Sequence, residues 1–135
     1  MREENIILRA ENITKKFAGV TALNQVSLDV HRAKVNVIVG ENGAGKSTLM
    51  KILSGVYPEY EGTLLLNGEE VNFSSPKDAM GRGIAIIHQE LNLIPYLSIT
   101  ANIFLGREIV DSFGMLDFKK MNQITKALLA RLECN

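Results

Sequence analysis

The nine residues GENGAGKST, positions 40 to 48, hold three glycines, one lysine and two hydroxyls. A stretch this bare cannot build a core, so its conformation is set by what flanks it. KVNVIV leads into it and LMKILSGV leads out. The first reads as a buried strand covered on both faces. The second puts Leu49, Ile52, Leu53 and Val56 on one helical face, with Gly55 as a stop. The stretch fits G-x-x-x-x-G-K-[ST], with Gly40, Gly45, Lys46 and Ser47 in the fixed places.

The pattern has a physical reading. A strand delivers the chain to a tight loop whose main-chain N–H groups turn inward. Gly43 and Gly45 can adopt positive φ and carry nothing that obstructs a phosphate. The following helix points its unpaired N–H groups and positive dipole end at the same spot. Lys46 can reach the β- and γ-phosphates, and the Ser47 hydroxyl can ligate Mg²⁺. The bland alternative is a glycine-rich turn capping an ordinary helix. Chance supplies the pattern in a chain this long well under about 1% of the time, and strand and helix stand where the motif requires them. A nucleoside triphosphate site is expected.

Composition narrows the class. The chain has 135 residues, about one domain's worth, at 46% hydrophobic and 22% charged. Fifteen basic residues balance fifteen acidic ones, so generic nucleic-acid or membrane-surface binding has no electrostatic support. The lone Cys134 cannot form an internal disulfide, and MREENIILRAEN is not a secretory signal. No stretch approaches the roughly 18 apolar residues that span a bilayer. The expectation is a cytosolic protein whose membrane role, if any, comes through partners.

Along the chain, NIILRAENITKKF starts strand-like, and QVSLDV alternates, with Val26, Leu28 and Val30 on one side. In TLLLNGEEVNF, Asn67-Gly68 between two apolar runs predicts a two-residue hairpin. SSPKDAMGRG predicts a short helix with Ser75 as N-cap, Pro76 first, Asp78 answering Ser75, and Gly81 and Gly83 at its end. IAIIHQ reads as a second buried strand, and SITANIFLG and DFKKMNQITKALLARL as helices. In the last, Phe118, Met121, Thr125, Leu128 and Leu132 form one stripe. The fold class is α/β with an antiparallel flank over about 1–34 and 62–73, a strand and helix around the loop over 35–56, a segment 84–97, and helices over 98–135. Only two parallel strands are found, around 35–39 and 84–88, so the chain reads as the N-terminal part of a larger fold.

GENGAGKSTLMKILSGVYPEYEGTLLLNGEEV and GIAIIHQELNLIPYLSITANIFLGRE resemble the ATP-binding subunits of ABC transporters, the second in the branch that imports monosaccharides. The likeness covers nearly the whole chain and implies a P-loop ATPase core truncated before its Walker-B strand. It implies ATP and Mg²⁺ at residues Gly40, Glu41, Asn42, Gly43, Ala44, Gly45, Lys46, Ser47 and Thr48. Glu41 serves through its backbone, and Thr48 helps hold the α-phosphate. Phe17 falls where the family stacks an aromatic on adenine; the alternative is an aromatic packed under the strands. Gln89 falls where the family keeps a glutamine that reaches Mg²⁺ or the attacking water, in the loop that meets the membrane subunits. Lys46 and Gln89 are therefore the catalytic candidates. His31 and His88 read as ordinary turn and strand residues.

The implied partners are integral membrane permease subunits, a second ATPase domain and, indirectly, a periplasmic sugar-binding protein. The implied place is the inner face of the cell membrane. The sequence departs from the family at HRAKVN, where Ala33 and Lys34 replace a glycine-type turn. No Walker-B acid, LSGGQ-like signature or switch histidine occurs, so hydrolysis by these 135 residues alone is not expected. Alternative readings are a soluble ABC-type ATPase without a membrane partner, a non-hydrolysing nucleotide-binding fragment and, more weakly, a small-molecule kinase.

Overall fold

A computed structural model describes residues 5–88 and 93–132. The backbone divides into two compact units, one ending at Ile87 and the other starting at His88. In the first, β1 (Ile6–Phe17) and β2 (Val20–His31) form a long antiparallel hairpin. Its two-residue turn, Ala18-Gly19, has φ of +40° and +86°, the left-handed pair that matches strand twist. Both strands run further toward that turn than the alternation of QVSLDV suggests.

The hairpin is bulged. Asn12 and Gln25 take positive φ, and their N–H groups donate to Ser27 Oγ (3.0 Å) and Thr14 Oγ1 (2.9 Å). Hydroxyls thus replace carbonyls where the ladder is interrupted. The extra residue at the β1 bulge also resets the alternation, so that Leu8, Ala10 and then Ile13 enter the core.

β3 (Glu61–Leu66) pairs with the other edge of β1, and β4 (Glu69–Val71) pairs with β3. The sheet order is β2-β1-β3-β4, antiparallel throughout. The turn between β3 and β4 is Asn67-Gly68, both left-handed, as predicted. Against the sheet lie α1 (Lys46–Leu53), through Leu49, Ile52 and Leu53, and Ala79 of α2 (Pro76–Gly81). Phe73, 1% exposed, is among the largest fully buried side chains. Ser75 caps α2 by accepting from Asp78 N–H (3.2 Å). Asp78 does not answer Ser75, however; it accepts from the backbone N–H and hydroxyl of Ser74, one residue earlier.

Two expectations need correction. Residues 35–39 and 84–88 form no strand. Ile38, Ile84 and Ile86 are partly buried, the first two against the core, while Val35 and Val39 are 92% and 89% exposed and Ile87 is 93% exposed. A parallel strand exists only through a neighbour's ladder, and neither segment has one among the described residues. Each touches the core at one residue, Ile38 in the first and Ile84 in the second.

The second unit contains α3 (Ile99–Phe104) and α4 (Phe118–Arg131), capped by Ser98 and Asp117. Asn102 clamps the preceding segment: its Oδ1 accepts from Ile94 N–H, and its Nδ2 donates to the carbonyls of Ile94, Leu97 and Ser98. Thr100 Oγ1 donates to Asn122 Oδ1 across the helix pair (2.7 Å). The predicted α4 stripe is buried only at its middle, at Met121 and Thr125; Phe118 and Leu132 are 60% and 71% exposed. Six residues of α3, about 9 Å long, cannot cover a helix of about 21 Å. No helix of the described residues is long and apolar enough to cross a membrane.

Phe73→Ala is expected to cost about 3–5 kcal/mol, whereas Met80→Ala, at an exposed position, should cost under about 0.5 kcal/mol. Denaturant titration of the two variants checks this.

Candidate functional site

The loop between Val39 and α1 is held from three directions. Ala44 N–H donates to Glu41 carbonyl (3.2 Å), closing a turn at the loop tip. Gly43 and Gly45 lie at φ of +85° and +83°, and left-handed residues alternating with others turn successive N–H groups toward one side. Gly45 is also pressed against β2: a Cβ there would sit 2.6 Å from Ala22 carbonyl oxygen and 2.6 Å from Leu23 Cδ2. Only glycine meets both demands. Gly40 differs, since a Cβ there would make ordinary contacts with Ala44 and Lys46.

Lys46 ties the start of the loop to its end. Its Nζ donates to the carbonyls of Gly40 and Glu41, both at 2.6 Å. An ammonium has three donors, and the third has no partner among the described residues. Lys46 is also the first residue of α1, and Gly45 is its N-cap without a side-chain cap. The first bond inside the helix runs from Leu49 N–H to Gly45 carbonyl (2.9 Å). The N–H groups of Lys46, Ser47 and Thr48 therefore precede the helical ladder. No acidic residue offsets the dipole in the first turn. Chemically, the arrangement can hold a polyanion: main-chain donors, the positive pole of a helix and one ammonium converge.

Ser47 is exposed at the second position of α1, and Thr48 is half-buried. Glu41, Asn42 and Ala44 are exposed. Among the described residues, no cluster of three His, Cys, Asp or Glu side chains could hold a metal ion. Gln89 lies outside the described residues, and His31 and His88 join no cluster.

Phe17 ends β1, 38% exposed, with its ring edge-on to Tyr57 (centroids 5.2 Å apart, 66° between planes). It is not packed beneath the strands. Its ladder partner is Val20, two residues from Ala22, which touches Gly45. The aromatic and the loop contact are thus separated by about 7 Å along one strand. Lys15 Nζ lies 5.3 Å from the Phe17 centroid and 5.7 Å from that of Tyr57, and Lys51 Nζ lies 5.5 Å from the latter. Lys15 also donates to Glu59 carbonyl. In the same segment, burial first and the charge of Glu70 second push the Tyr60 hydroxyl pKa above its ordinary value.

Sequence reasoning missed Tyr57 and the Gly45–β2 contact. YPEY reads as a turn, and the only signal was an aromatic two residues beyond the glycine that ends α1. In the second unit, a cleft of about 450 Å³ is lined mainly by Leu93, Ile94, Leu97 and Ile103, with Asn102 and Arg107 among its polar residues.

Residues 23–135 match the family described as ABC transporter. Over 130 residues, 96% of its length, the chain is 52% identical to a ribose/galactose/methyl galactoside import ATP-binding protein of Agrobacterium fabrum. It is 50% identical over 133 residues to a protein of the corresponding name from Halalkalibacterium halodurans. The chain spans 26% of the length of each. Among solved structures, a nucleotide-free ATP-binding cassette from an ABC transporter superposes with a TM-score of 0.69 at 25% identity, over 96% of this chain and 55% of that one. Another ABC transporter cassette gives 0.77 at 25% identity and the same coverage. The antiparallel sheet, the loop and α1 are therefore elements of an ATPase-cassette fold, and the chain belongs to the ABC transporter family.

Proposed function

We propose that this chain forms the nucleotide-binding part of an ATPase subunit that powers monosaccharide import through an ABC transporter. The observation that carries this reading is that three N–H groups precede the α1 ladder at the end of a loop whose start is braced by the Lys46 ammonium. The names of the two relatives, each half identical or better, support the transport role and the sugar class.

On this reading the triphosphate tail lies over Gly40, Glu41, Asn42, Gly43, Ala44 and Gly45, with its terminal phosphates toward the main-chain N–H groups of Lys46 and Ser47 and its α-phosphate toward Thr48. The Lys46 ammonium neutralises phosphate charge while still bracing the loop. Phe17 offers a ring face to adenine, a contact that needs no base-edge donors. Ser47 fits Mg²⁺, which takes few protein ligands and fills its shell with phosphate oxygens and water. The exposed Ser47 hydroxyl would hold the ion, which would supply further charge neutralisation at the terminal phosphates. Catalysis of this kind is chiefly positioning plus electrostatic stabilisation.

The partners are permease subunits in the membrane and a second ATPase domain, with a periplasmic sugar-binding protein acting indirectly. The subunit sits at the cytoplasmic face. The apolar cleft of the second unit, with Arg107 among its lining residues, supports a permease contact there. Balanced charge gives nucleic acid no support.

Lys46→Ala in the complete subunit is expected to weaken Mg·ATP binding about 10- to 100-fold, from the loss of charge-assisted bonds worth about 1.5–3 kcal/mol. Calorimetric titration measures this, and monosaccharide uptake into permease-containing vesicles should fall to background. Unchanged affinity would remove the basis of the proposal. Gly45→Ala should lower nucleotide affinity comparably and, through forced φ and collision with β2, lower stability by about 1–3 kcal/mol. Chemical denaturation beside the same titration tests that pairing of effects.

A further inference from the structure

The site as described explains how phosphates are gripped but not how an exposed aromatic keeps one orientation. Phe17 ends a strand, directly before a left-handed turn. Its main chain is fixed, yet a half-exposed ring has free rotamers unless something packs on it. A base stacks well only on a face already presented, because immobilising a loose ring consumes part of the contact's free energy.

Tyr57 supplies the packing. Its ring meets Phe17 in the edge-to-face geometry that aromatic quadrupoles favour. Tyr57 is itself anchored. Its N–H and that of Val56 both donate to Lys51 carbonyl, at 3.1 and 2.8 Å, so the residue hangs from the last turn of α1. The Lys51 ammonium lies over its ring. Lys15 reaches both rings while bonded to Glu59 carbonyl, which pins the segment after Tyr57 to β1. The Lys15 ammonium also lies over the Phe17 ring.

We propose that Tyr57, assisted by Lys15, is a positioning residue that fixes the Phe17 ring for a purine base. The inference rests on the reading of Phe17 as a base platform. It adds that α1 organises both ends of the nucleotide, the phosphates at its first turn and the base through the tyrosine beyond its last. It also makes the tyrosine's role specific: the ring is needed and the hydroxyl is not.

The test uses the complete subunit and two probes, Mg·ATP and Mg·tripolyphosphate, the second having no base. Tyr57→Leu, which keeps apolar bulk, is expected to weaken Mg·ATP binding about 2- to 10-fold, the affinity equivalent of one edge-to-face pair. Tripolyphosphate binding should not change. Tyr57→Phe should bind both probes as the parent does. Combining Tyr57→Leu with Phe17→Ala should lose no more than Phe17→Ala alone, because residues acting as one unit are not additive.

If Phe17→Ala leaves the preference for ATP over tripolyphosphate intact, the platform reading fails and this inference falls with it. If Phe17→Ala lowers the preference while Tyr57→Leu does not, or the two losses add, the platform stands and the role of Tyr57 is overturned. Equal weakening of both probes by Tyr57→Leu also overturns it, since the tyrosine would then act on α1 or the fold. Failure of Tyr57→Phe to preserve binding assigns the effect to the hydroxyl, against the proposal.

Discussion

Gly45 lies against the carbonyl of Ala22 and the side chain of Leu23 with no room for a methyl group. Through that contact the antiparallel sheet positions the glycine loop. It sets where α1 begins, and hence where the helix pole and the amides of Lys46, Ser47 and Thr48 lie. A side chain at 45 would have to push the loop off β2 or shift β2 itself. Either change would carry the start of α1 away from the turn closed by Glu41 and Ala44. The φ of +83° adds a second, independent reason for the same residue, so the position tolerates little on two separate grounds.

The sheet reaches that contact only because its irregularities are built into its side chains. Bulges at Asn12 and Gln25 leave ladder groups to be satisfied, and the hydroxyls of Ser27 and Thr14 accept their N–H groups. The residue gained at the first bulge keeps Leu8, Ala10 and Ile13 on the core face despite uneven spacing. Strict alternation would have sent Asn12 inward and Ile13 out. The bulged strand thus carries a continuous apolar face under α1 and still delivers Phe17 to the surface at its end.

What the residues disclosed in advance was chiefly local chemistry. Asn67-Gly68 forces one turn type, Ser75-Pro76 starts one helix, and G-x-x-x-x-G-K-S between an apolar run and a helix dictates one loop. Even the unusual turn at HRAKVN was legible: Ala33 takes φ of +53°, where a glycine would be unstrained, and Asn36 steadies it through His31 and Lys34. What escaped depends on partners distant in sequence. KVNVIV and IAIIH have the composition of doubly covered strands, but a strand also needs a neighbour to bond to. The apolar stripe of α4 has helical spacing, but spacing does not say how long the opposing helix is. The Ala18-Gly19 turn was passed over because alanine rarely takes positive φ, and here the pairing of two twelve-residue strands imposes it. Tyr57 was invisible for a related reason: its partner Phe17 lies forty positions earlier, on another element.

The aromatic pair and the loop are linked by a short rigid body. Eight residues of α1 span about 12 Å, with the amides that precede the helical ladder at one end and, just past the other, the main chain that carries Tyr57. A helix buried along Leu49, Ile52 and Leu53 cannot easily tilt or slide. On the proposed reading, the spacing between base and phosphate contacts is then set by a buried helix and a paired strand rather than by loop conformation. Such a site loses little ordering entropy when a nucleotide binds. It also predicts where sequence can vary freely: the exposed side chains of Asn42 and Ala44 touch neither support, so their chemistry matters less than the main-chain path they share.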